Sequence, residues 1–142
     1  MTRRQILFAS DDETAPRASD LFAQLDDSID LLVANNGAEC IGEYVRLTKE
    51  DTKPVVVIID YTVSKVSGGH LATSLRGVER GLGVSAAAII IRCTPDEGDV
   101  VSSLIPELGR AVQLTRRADY TPEQQLKRLV KASAKVLNQL KG

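Results

Sequence analysis

Val55 to Ile59 is a run of five consecutive β-branched residues, and the next residue is an acid, Asp60. Branching at Cβ stiffens χ1 and favours extended backbone over helix. The run has no alternating polar positions, so neither face of this strand can look onto water. That is the pattern of an inner strand of a parallel sheet covered on both sides.

The rest of the chain supplies partners for such a strand. Ile6-Leu7-Phe8-Ala9, Asp30 to Ala34, Ala86 to Ile91 and, more weakly, Ala111 to Leu114 read as further short strands. Between them lie amphipathic segments. One has Ala18, Leu21, Phe22 and Leu25 at helical spacing, and another has Ala38, Ile41 and Val45. A third runs roughly from Gly69 to Arg80 with Leu71, Leu75 and Val78 inward, and a fourth carries Val100, Val101, Leu104, Ile105 and Leu108. Thr121-Pro122-Glu123-Gln124 opens the last helix, with a capping hydroxyl, proline at the first helical position and glutamine three residues on. Its stripe is Leu126, Leu129, Val130, Val136, Leu137 and Leu140. Five strands alternating with five helices predict an α/β doubly wound parallel sheet, with flavodoxin-like order 2-1-3-4-5, in a single domain over 1–142.

Composition narrows the function classes. With 43% hydrophobic and 26% charged residues the chain is neither disordered nor membrane-spanning, and no apolar stretch approaches the ~20 residues a span needs. A net charge of −1 argues against direct nucleic-acid binding. The charge is uneven: from Arg110 onward eight Lys or Arg face only Asp119 and Glu123. Cys40 and Cys93 sit in or beside apolar runs and read as buried thiols rather than a disulfide or metal motif. With no secretory signal at the start, a cytoplasmic protein is expected.

In this fold, ligands bind at the carboxyl ends of the strands. Those ends carry Asp11 and Asp12 after the first strand and Asp60 after the third. Three carboxylates brought together repel one another, and a hard divalent cation such as Mg²⁺ relieves the conflict through oxygen ligands. An aspartate in such a site can act as a nucleophile and form an aspartyl-phosphate, with the metal neutralising the transferred group. Acidic pairs are also common on solvated surfaces, so Asp11-Asp12 alone does not select this chemistry. Gly68-Gly69 lacks the spacing and lysine of a phosphate loop and fits a turn. His70, the only histidine, is expected to be exposed.

Taken together, several segments resemble the receiver domain of bacterial response regulators in two-component signalling. They are Ser10-Asp11-Asp12-Glu13, the run ending in Asp60, Gly68 eight positions later, Ala34 to Glu39, Arg76, and Ile90-Ile91-Arg92-Cys93-Thr94. The resemblance covers nearly the whole chain in order. It implies that Asp60 accepts a phosphoryl group from a histidine kinase or phosphotransfer partner. Asp12 would ligate Mg²⁺ directly, Asp11 through water, and Thr62 through its backbone carbonyl. Thr94 would be the switch hydroxyl, while Thr62 and Asp96 would tune phosphate lifetime. A downstream protein would dock on the face of the fourth helix, fifth strand and last helix. The chain would be a phosphoacceptor rather than an enzyme, and either a stand-alone receiver or the amino-terminal piece of something larger.

The departures fall on the signalling parts. Arg116 stands where the family has lysine, Arg117 where it has proline, Ser64 at another proline position, and Gln113 at the aromatic switch. The loop Gly77 to Ser85 reads as longer than usual. Thr94-Pro95-Asp96-Glu97 also reads simply as a helix start. Two functions are therefore carried forward. In the first, Asp60 is phosphorylated and signals by conformational change. In the second, the receiver is degenerate and binds proteins independently of phosphorylation. Asp11, Asp12, Asp60 and Thr94 tilt the reading to the first, whereas Arg116 and Gln113 favour the second.

Overall fold

Every residue of the β-branched strand from Val56 to Asp60 is buried, with partners on both sides. The structure is a computed structural model that describes residues 3–63 and 66–140, so Ser64 lies outside the described residues. Five strands, β1 (Arg4–Ala9), β2 (Ile29–Ala34), β3 (Val56–Asp60), β4 (Ala88–Cys93) and β5 (Ala111–Thr115), form one parallel sheet in the order β2-β1-β3-β4-β5. This is the predicted 2-1-3-4-5 order. A short antiparallel ribbon, Thr62–Val63 against Val66–Ser67, follows β3.

Alternation along the strands divides the interior in two. Leu7, Val57, Ile59, Ile89 and Ile91 face helices α2 (Gly37–Lys49), α3 (Gly68–Leu82) and α4 (Gly98–Leu108). Ile6, Phe8, Val56, Ile58 and Ile90 face α1 (Ala18–Leu25) and α5 (Pro122–Leu140). Burying each large aliphatic side chain contributes about 1.5–3 kcal/mol, so a one-residue register slip in β3 would exchange the two cores at high cost. Cys40 and Cys93 are buried as expected, and burial pushes the Cys40 thiol up to about 12.

Several local expectations shift. The stretch read as a long loop from Gly77 is mostly helix. α3 continues to Leu82 and ends on Gly83 in the left-handed region at φ 69°. It continues because Arg76 and Glu79, one turn apart, are both buried. Arg76 donates to Glu79 (2.8 Å) and to the carbonyls of Leu108 (2.9 Å) and Gly109 (2.6 Å). Glu79 in turn accepts from the Tyr44 hydroxyl (2.6 Å) and the Ala87 N–H (2.7 Å). Val100 and Leu140, placed on apolar stripes by spacing, are 51% and 38% exposed. The capping box opening α5 forms as read, with Gln124 N–H on the Thr121 hydroxyl and Thr121 N–H on the Gln124 side chain. Among the described residues no helix is long and apolar enough to cross a membrane.

Candidate functional site

The carboxyl ends of β1, β3, β4 and β5 open into a crevice of about 280 Å³ lined by Asp11, Asp12, Asp60, Thr62, Thr94 and Arg116. Six of the seven residues given a role therefore come to one place, while Asp96 is exposed and does not line the crevice. Arg92 and Glu97, to which the sequence reading gave no role in the site, line it too.

Gly68 sets how closely α3 approaches the acceptor strand. A Cβ there would lie 2.7 Å from the Tyr61 Cα and 2.8 Å from the Asp60 carbonyl oxygen. Its N–H donates to the Tyr61 carbonyl at 2.5 Å. Only glycine lets the helix begin against this strand end.

Asp60 is 4% exposed, and its carboxylate is already engaged. β3 and β4 run in register with Asp60 opposite Arg92, so the two side chains project to the same side of the sheet. Arg92 Nε donates to Asp60 Oδ1 (2.6 Å) and Nη2 to Oδ2 (2.9 Å), a two-pronged pair. The Ser10 hydroxyl donates to Oδ2 at 2.5 Å, and Arg116 Nη2 reaches the same atom at 3.3 Å. The Arg92 side chain is only 2% exposed, and its guanidinium carbon lies 5.2 Å from the Phe8 ring centroid. That arginine could have been found in the sequence. It is the only charged residue in the run Ala86 to Cys93, and a buried arginine requires an acid within reach.

Asp12 takes a different partner set. Its Oδ1 accepts from the Thr14 N–H and hydroxyl, both at 2.8 Å, while Arg116 and Arg92 stand 3.8 and 4.0 Å from Oδ2. Burial opposes ionisation of Asp12, but the Thr14 hydrogen bonds and the two guanidiniums outweigh it and hold the carboxyl below its ordinary range. Asp11 is exposed on the crevice wall.

The expected metal cluster is not formed by this arrangement. Among the described residues no group of three His, Cys, Asp or Glu side chains could hold a metal ion. Mg²⁺ requires free carboxylate oxygens about 2.0–2.1 Å away. Arg92 holds both oxygens of Asp60, and Ser10 and Arg116 also reach Oδ2, so an ion would have to share this carboxylate with two guanidiniums and the residues do not fit it as they stand.

Glu97, also on the crevice wall, joins two loops. It accepts from the Thr62 hydroxyl (2.6 Å) and the Thr94 N–H (2.9 Å). Burial works against its ionisation, but these bonds and the nearby Arg116 keep its carboxyl below the usual value. Gln113, at the aromatic switch position, is also fastened to α4. It accepts from the Ser102 hydroxyl (2.7 Å) and donates to the Gly98 carbonyl (3.2 Å). His70 is exposed, as expected.

No family model matches the chain, and no curated protein does. Solved structures do match. A response regulator receiver domain protein from Clostridium thermocellum superposes with a TM-score of 0.67 at 20% identity, covering 97% of each chain. The phosphorylated cyanobacterial phytochrome response regulator RcpA gives 0.70 at 15% identity, over 94% of this chain and 93% of that one. The Mn²⁺-bound form of response regulator Rcp1 gives 0.64 at 16%, over 91% and 90%. The parallel order, the acid-bearing strand ends and these superpositions agree: the chain has the receiver-domain fold of response regulators.

Proposed function

We propose that this protein is a receiver-fold interaction module of two-component-type signalling that works without phosphorylation of Asp60. The observation that carries this reading is the Arg92 fork on both Asp60 oxygens, completed by Ser10. A nucleophilic carboxylate must present a free oxygen to the phosphorus in line with the leaving group. Freeing one here would break a prong of this buried pair and leave a guanidinium N–H without its acceptor, at a cost of about 1–3 kcal/mol. The fastening of α4 through Glu97 and Gln113 supports the same reading, because a face held in one arrangement can be recognised constitutively.

The partner is a protein, and the face of α4, β5 and α5 is the proposed docking surface. Val100 and Val112 are 51% and 41% exposed there. Much of the basic charge of this region is committed locally. Arg117 pairs with Asp119 at 3.5 Å, Lys127 with Glu123 at 4.0 Å, and Arg128 donates to the Thr115 carbonyl.

The alternative is the phosphoacceptor receiver. Asp60 would take a phosphoryl group from a histidine kinase or phosphotransfer partner with Mg²⁺, Thr94 would supply the switch hydroxyl, and Arg116 would stand in for lysine. Its specific support is that Asp11, Asp12, Asp60, Thr62, Thr94 and Arg116 share one crevice. Incubation with acetyl phosphate and Mg²⁺, followed by intact mass measurement of wild type and Asp60→Ala, separates the two. The expected result is no phosphoryl adduct on either protein. A wild-type adduct that Asp60→Ala lacks would establish the alternative.

A further inference from the structure

We propose that Arg92 is a built-in cation that takes the place of a divalent ion between Asp60 and Asp12, and is the residue that keeps metal out of this site. The inference rests on the reading of a charge-paired Asp60 and names the group responsible. Arg92 Nη2 lies 2.9 Å from Asp60 Oδ2 and 4.0 Å from Asp12 Oδ2, between the two carboxylates a metal would share. Arg116 Nη2 approaches the same two oxygens at 3.3 and 3.8 Å. Two guanidiniums carry the same formal charge as one divalent cation, so these carboxylates need no further neutralisation.

The two arginines are not equivalent. The Arg116 side chain is 30% exposed and can turn into solvent. The Arg92 side chain is 2% exposed, grows from an inner strand and lies over Phe8. Arginine does not shed its proton to escape burial, so it cannot leave Asp60 as a neutral group. An incoming divalent ion would meet a fixed like charge a few ångströms away in a poorly screened site. A merely structural ion pair predicts lost stability when Arg92 is replaced. It does not predict a gain of metal binding, whereas a built-in cation does.

The test is a Mn²⁺ titration of the isotope-labelled chain, read as selective broadening of amide signals around Asp12, Asp60 and Thr62. Wild type, Arg92→Met and Arg92→Lys are compared. Arg92→Met keeps the stem over Phe8 and removes the charge, and should bind Mn²⁺ at least about tenfold more tightly than wild type, a difference of about 1.4 kcal/mol. Arg92→Lys keeps a charge but loses the rigid fork, and should fall between them. If Arg92→Met does not fold, Arg92→Lys against wild type decides by the same sign. Broadening in wild type with an affinity matching the variants would overturn the proposal, as would a folded Arg92→Met that binds no better than wild type. Acetyl phosphate labelling of the wild type would defeat the functional reading. Mn²⁺ binding as tight as that of Arg92→Met, by a wild type that is never labelled, would defeat only this inference.

Discussion

Replacing Asp60 by leucine removes the counter-ion of Arg92 without opening a large space. In the structure the lost carboxylate leaves a guanidinium whose side chain is 2% exposed, with Asp12 still 4.0 Å away as a partial substitute. Removing one member of a buried pair costs about 3–5 kcal/mol, and the Asp12 contact puts the expectation near the lower end, about 3 kcal/mol. In a chain of this length that corresponds to a fall in Tm of roughly 10 °C. The picture of three crowded acids, drawn from the sequence alone, predicts the opposite sign, because removing one like charge would relieve repulsion. The full cycle of Asp60→Leu, Arg92→Met and the double variant isolates the pair. The double variant replaces both charges by apolar groups and should lie within about 1 kcal/mol of wild type. The coupling energy should then exceed about 2 kcal/mol. Urea unfolding in metal-free buffer at neutral pH measures all four proteins. An Asp60→Leu variant as stable as wild type, or single effects that simply add, would refute the reasoning.

Three further outcomes follow from the same contacts. Burial opposes ionisation of Glu79, but bonds from Tyr44, Ala87 and Arg76 hold its carboxyl below the ordinary value. Its stabilising contribution is therefore present above the unfolded pKa, about 4.3, and is lost as pH falls through the lower folded value. Glu79→Gln should lower the urea midpoint at neutral pH and flatten its decline below about pH 4; an unchanged acid slope would exclude Glu79 as the source. Gln113→Ala removes the tie to Gly98 and Ser102, and should speed amide hydrogen exchange in the first turn of α4 at least severalfold, with little change at β1. Arg116→Lys alters a half-exposed secondary contact, so it should change stability by less than about 1 kcal/mol and leave Asp60 unlabelled by acetyl phosphate, because Arg92 remains.

The chain order of elements was legible because its signals are local. Five β-branched residues, helical spacing around Phe22 and Leu75, and the Thr121 capping box each act within one or two turns of backbone. Strand order followed from the same pattern, since right-handed crossovers leave few topologies. The six site residues were legible for a related reason: the ends of parallel strands all point to one edge of the sheet, so their positions in the sequence already imply convergence.

What those residues do to one another was not local. Whether Asp60 faces a metal or an arginine depends on the register of β3 against β4, which brings residues 32 apart in sequence within 2.6 Å. No periodicity encodes that pairing: a lone arginine in an apolar run signals that an acid must lie near, but not which acid. The extension of α3 past Arg80 was hidden likewise, since it depends on Arg76 and Glu79 finding buried partners on α2 and in the α4–β5 turn. Local propensity thus determined the architecture and the address of the site. Long-range register decided its charge state, because an ion pair is made by the distance between two side chains, and only the folded sheet sets that distance.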